Sequence, residues 1–128
     1  MNIKDYLLAG DPTTSARKLA RLARSRYQRV RARVAENPAA SEALLVALSI
    51  DAVDDVRAAV AGNSRTPYGL LVYLLEDESA DVRYALAEDY DLPPEFLDWL
   101  SQDQNPYVAQ RAKKTLEHVY PFDRLRSA

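Results

Sequence analysis

The 128-residue chain contains no cysteine, which excludes disulfides, thiolate metal sites, cysteine-held iron–sulfur clusters and a cysteine nucleophile together. Its single histidine, His118, excludes any centre that needs several imidazoles. With three glycines there is no phosphate-cradling loop, and neither G-x-S-x-G nor H-E-x-x-H occurs. No window approaches the roughly 18 apolar residues of a membrane span. The opening MNIKDYLLAGDPTT has neither the charged stretch nor the apolar run of a secretory signal. The expectation is a cytoplasmic protein that is not an enzyme, has no cofactor and does not engage a membrane.

What is present is the material of one folded unit: 48% hydrophobic and 28% charged residues at a single-domain length. The net charge of -2 conceals a lopsided distribution. Residues 17–33 hold eight lysines or arginines and no acid, while residues 76–103 hold ten acids and the single base Arg83. Charge therefore changes sign along the chain.

The phrase DDVRAAVAGN from Asp54 returns as ADVRYALAED from Ala80, 26 residues on. At that register Val30, Val56, Val82 and Val108 align, as do Leu19, Leu45, Leu71 and Leu97, and then Leu22, Leu48, Leu74 and Leu100. Ala35, Ala61 and Ala87 form a further column, and Asp11, Asn37, Asn63 and Asp89 another. Residues 13–38, 39–64, 65–90 and 91–116 tile as four units. Residues 1–12 form an N-terminal half-unit and residues 117–128 a C-terminal tail, docked or frayed beyond Pro121.

Within a unit, PYGLLVYLLED puts Leu70, Leu71, Leu74 and Leu75 on one helical face, helix A. DVRYALAED puts Val82 and Leu86 on a second, shorter apolar face, helix B. Pro67 and Pro93 fall in the first turn of helix A, where a missing N–H costs nothing. Asn37, Asn63 and Asp89 stand where a left-handed helix-ending residue is expected. One such hairpin cannot bury its apolar side, so the units must stack on a shared core, an all-α solenoid.

The segment TPYGLLVYLLEDESADVRYALAED is similar to a unit of the leucine-rich repeat variant proteins. Through the D-x5-R elements DAVDDVR and DESADVR it also resembles HEAT repeats. The likeness spans roughly residues 6–116 and implies a right-handed α-solenoid of about four 26-residue helical hairpins. The founding leucine-rich repeat variant type carries a cysteine-bound iron–sulfur cluster, which a chain without cysteine does not inherit. In HEAT repeats the Asp and Arg form a ladder between units. Here Ser25 and Ala109 break the pattern at the two ends, so pairing each Arg with the Asp of the next unit uses all six charges: Arg31 with Asp51, Arg57 with Asp77, Arg83 with Asp103.

Two surfaces are candidates for binding. Tyr73 and Trp99 share a column well away from the leucine face and are expected to be partly exposed, and Tyr84, opposite Val82 and Leu86, is expected to be exposed. Set among Glu76, Asp77 and Asp98, they suit a basic segment of a protein partner, with rings as anchors and carboxylates as steering groups. The alternative is nucleic-acid binding through the first unit. There Arg17, Arg21 and Arg24 are read as one face of helix A, and Arg26, Arg29 and Arg33 as a face of helix B. Opposite charge at the two ends also allows a monomer to associate weakly head to tail. His118, after the last helix, reads as a solvated end group.

Overall fold

The structure, a computed structural model, describes residues 1–121; the tail expected beyond Pro121 lies outside them. All nine elements among the described residues are helices. A lone α1 (Ile3–Gly10) is followed by four pairs: α2 (Ala16–Leu22) with α3 (Gln28–Glu36), α4 (Glu42–Leu48) with α5 (Asp54–Ala61), α6 (Tyr68–Leu75) with α7 (Ala80–Ala87), and α8 (Pro94–Leu100) with α9 (Pro106–Val119). The even-numbered helices are the A helices of the sequence pattern. The odd-numbered ones are the B helices, with α1 a B helix lacking its partner. The last helix runs three residues past the expected end of the fourth unit.

Local sequence explains where each helix starts. Ser15 and Ser41 cap α2 and α4 by accepting the amides of Lys18 and Leu44. Pro67 and Pro93 occupy the same capping position rather than the first turn, because proline's fixed φ suits the extended cap residue and the cap makes no intrahelical N–H bond. In the four complete units the B helix starts three residues after a short polar side chain, and its capping residue two after. Ser25, Asp51, Asp77 and Asp103 accept the amides of Tyr27, Val53, Ser79 and Asn105 at 2.9–3.1 Å.

Packing differs between the two helix sets. Each B helix lies directly on the next, α1 on α3, α3 on α5, α5 on α7 and α7 on α9, while successive A helices hardly touch. Ala9, Ala35, Ala61 and Ala87 are fully buried in the B stack, and their small side chains permit that close approach. Helices close together on one side and apart on the other bow the stack, placing the A helices on its outer side. Leu19, Leu22, Leu45, Leu74, Leu97 and Leu100 project from the A helices into the shared core beside Val30, Val56, Val82 and Val108. Leu70 and Leu71 are only half-buried.

The expected left-handed helix ends do not occur. No described residue, glycine included, has positive φ, and Asn37, at the end of α3, is extended with φ -68° and ψ 125°. The asparagines act across the repeat boundary instead. Asn37 Nδ2 donates to the carbonyls of Ala9 and Asp11 at 2.8 and 2.9 Å, and Asn63 Nδ2 to those of Ala35 and Asn37 at 2.8 and 3.0 Å. Each Oδ1 accepts the amide two residues on, Ala39 or Arg65, at 2.8 Å. One amide thus satisfies buried backbone in two units at once, a task the carboxylate of Asp89 cannot share because it has no N–H to donate.

Candidate functional site

The Asp–Arg ladder runs between units. Nε of Arg31, Arg57 and Arg83 lies 2.8, 2.9 and 2.8 Å from Oδ2 of Asp51, Asp77 and Asp103. Nη2 reaches the second carboxylate oxygen at 3.1–3.3 Å, and Nη1 donates to the carbonyls of Ser25, Asp51 and Asp77 in the Arg's own unit at 2.6–2.8 Å. Every guanidinium therefore ties its own interhelical turn to the next one by a bidentate pair, the strong geometry for Arg and carboxylate. The hydrogen bond to Asp51 holds Arg31 charged beyond its ordinary range, and the bond to Asp77 does the same for Arg57, each outweighing burial. Burial alone pushes the Asp51 carboxyl up, but the Arg31 hydrogen bond, the Val53 amide and the nearby guanidinium charges together hold it below its usual value.

This ladder removes Asp77 from the acids open to a partner. Arg57 takes both its oxygens, Ser79 N–H takes one of them again, and only 6% of its side chain is exposed. Glu78 next to it is 93% exposed, its Oε1 4.0 Å from Arg57 Nη2 at the edge of ion-pair range, and is the solvent-facing carboxylate beside the ladder. The 26-residue pattern already separates the two, since Asp77 stands in the column of Asp51 and Asp103 whereas Glu78 aligns with Ala52 and Gln104; counting Asp77 among the acids open to a partner set aside the ladder that the same sequence predicts.

The remaining residues sort by helix face. On the A helices, positions opposite the buried leucines are exposed in all four units, and they form one continuous outer surface. Across α2, α4, α6 and α8 and the turns that follow them, one row reads Arg17, Ala43, Gly69, Glu95 and the next Ala20, Val46, Val72, Asp98. A third reads Arg21, Ala47, Tyr73, Trp99 and a fourth Arg24, Ile50, Glu76, Gln102. The surface is basic at α2, apolar at α4 and acidic with aromatic rings at α6 and α8. Tyr73 and Trp99 are each 58% exposed, and Ile50 is 72% exposed.

Two clefts open where this surface meets the interhelical turns. Trp99, with Glu76, Glu78 and the Arg83–Asp103 pair, borders one of about 630 Å³. Tyr73, with Ile50 and the Arg57–Asp77 pair, borders its counterpart one unit earlier, of about 370 Å³. Tyr73, Trp99, Glu76 and Asp98 are thus brought together. Tyr84 is not: it lies on the B side, half-buried against the core because α9 stacks beside α7, and it faces Asp81, Asn105 and Tyr107.

The six arginines read as a nucleic-acid site do not share a surface. Arg17, Arg21 and Arg24 belong to the outer face, Arg24 from the turn after α2. Arg26 precedes α3, lies over the Tyr27 ring at 4.9 Å and hydrogen-bonds its hydroxyl at 2.7 Å. Arg29 is exposed on α3. Arg33 is held on the inner side by Glu36 at 2.9 Å and by the Tyr6 ring. The helices are too short for a spacing of three or four to carry through the turn between them. His118 sits in the last turn of α9 with its ring 4.7 Å from that of Tyr90.

Among the described residues no group of three or more histidine, cysteine or acidic side chains is placed to hold a metal ion. No described helix is long and apolar enough to cross a membrane. No curated protein and no solved structure matches the chain. Residues 4–52, taking in α1 through α4, match the family model of the Leucine Rich Repeat Variant domain, the family whose repeated phrase the sequence resembles.

Proposed function

We propose that the protein is a non-enzymatic interaction module whose outer face binds a basic segment of a protein partner across α6 and α8. The observation that carries this reading is the placement of two large rings, Tyr73 and Trp99, at equivalent positions and equally exposed on α6 and α8, where they stand among exposed carboxylates and no base. Trp99 and Tyr73 anchor the segment, since aromatic side chains bury a large area at low entropic cost. Glu76, Glu78, Glu95 and Asp98 steer it, raising the association rate and rejecting acidic partners. Asp77 and Asp103 hold the frame beneath and do not face the partner. A repeat domain suits such work because its framework is independent of the residues it displays.

Trp99 is the only tryptophan, so its fluorescence reports the site directly. Titration with a synthetic peptide rich in lysine and arginine changes its emission saturably, whereas an acidic peptide of the same length leaves it unchanged. By calorimetry Trp99→Ala weakens the basic peptide at least about tenfold, as an aromatic anchor should, and leaves the melting temperature nearly in place. Affinity that is indifferent to both Trp99→Ala and Asp98→Lys overturns the reading. Binding of duplex DNA that survives Trp99→Ala but not Arg21→Glu with Arg24→Glu would move the function to α2.

A further inference from the structure

The outer face is ordered along the stack as base, apolar, acid, and a surface with that order is the complement of its own reverse. Laid against a second copy turned end for end, with the A helices parallel, α2 meets α8 and α4 meets α6. Equivalent rows then oppose one another: Arg17 faces Glu95, Arg21 faces the Trp99 ring beside Asp98, and Val46 faces Val72. Laid without the reversal, Arg17, Arg21 and Arg24 meet their own copies, and like charges opposite one another are strongly unfavourable.

From this order we propose that the outer face pairs two copies of this chain in an antiparallel, twofold-symmetric dimer. The proposal rests on the reading of α6 and α8 as a site for basic groups and names a donor of those groups: the partner copy's own Arg17 and Arg21. Charge complementarity selects the second copy as the occupant, and the exposed apolar centre, Val46 and Ala47 on one side with Val72 and Tyr73 on the other, gives the pair a core to bury. Each copy uses the same patch, so the contact closes at two chains. It does not propagate into the open head-to-tail chain expected from the charged ends alone. Because the stack bows outward on this side, the central helices meet first and the long arginine side chains span the divergence at the ends. The dimer is therefore reversible and sensitive to salt.

Sedimentation and light scattering on the full chain test this by charge exchange. Wild type is expected to dimerise with rising concentration at low salt and to separate in molar salt, with no species beyond the dimer. Arg17→Glu with Arg21→Glu makes both ends acidic, and Glu95→Lys with Asp98→Lys makes both ends basic. Each pair of substitutions alone weakens self-association by more than about tenfold. Mixing the two variants, or combining all four substitutions in one chain, restores the dimer, a rescue that a misfolded variant cannot supply. A wild type that stays monomeric at millimolar concentration in low salt overturns the proposal, as do variants that fail to rescue one another. In either case the tryptophan titration with basic peptide still stands as a separate result: if it is positive, the site for basic groups survives and only the second copy as its occupant is lost.

Discussion

The B helices with their ladder and the outer face of the A helices lie on opposite sides of one core and follow opposite rules. In the B stack the same residue type returns at nearly every 26-residue step: a valine, an alanine, an arginine, and in the turn before it an aspartate. On the outer face no row keeps its chemistry across the four units. Stacking demands identical partners at identical spacing, since Arg31, Arg57 and Arg83 each need a carboxylate at the same distance in the next unit. Display makes no such demand, because an exposed side chain has no neighbour in the next unit that must match it. Where this chain repeats, it is holding itself together; where it stops repeating, its residues are released from that demand.

That contrast breaks most sharply at the middle of the ladder. Arg57→Ala leaves the Asp77 carboxylate buried without its counter-charge and the Asp51 carbonyl without its guanidinium donor. The expected loss is about 3–5 kcal/mol, read as a lower denaturant midpoint. Trp99→Ala on the outer face changes stability by no more than about 0.5 kcal/mol. Comparable losses from the two would erase the distinction between frame and display. Leu74→Ala tests the core between the two sides: its side chain is fully buried, and its truncation costs about 2–5 kcal/mol, the upper end if the cavity does not collapse. An unchanged melting temperature would contradict its place in the core. The smallest effect has the opposite sign. Asp89 is the one position of the asparagine row between two helix pairs that cannot donate to the carbonyls behind it, so Asp89→Asn, by supplying those hydrogen bonds to Ala61 and Asn63, stabilises by about 1 kcal/mol. Thermal unfolding that moves downward in this variant would show that the row does not bind units together at that joint.

Much of the frame was legible in the residues alone, for reasons that are local or additive. Leucines three and four apart make a helical face whatever surrounds them, and a 26-residue recurrence forces neighbouring hairpins onto one another. The ladder was legible too, because Ser25 and Ala109 leave only one pairing that satisfies all six charges, and the structure has that pairing. The asparagine row was misread. Its position at the helix ends suggested left-handed backbone, whereas its side chains bond to carbonyls 26 and 28 residues away, a distance no local rule spans. Tyr84 was misread for a related reason: helical periodicity says which side of α7 it leaves from, but not that α9 lies there to cover it.

The proposed binding surface divides in the same way. Arg21, Tyr73 and Trp99 fall in one column of the sequence, yet the sequence offered the arginines and the rings as rival sites. Only the stack decides that Arg17, Arg21, Arg24, Tyr73, Trp99 and Asp98 lie on a single outer face and that Arg26 and Arg33 belong elsewhere. By itself the sequence determined helices, register and the partners of the ladder, because backbone periodicity and pairwise charge are fixed by spacing along the chain. The tertiary structure decided which faces look outward and which charges remain free, because burial depends on how closely neighbouring helices approach, and the B helices approach where the A helices do not.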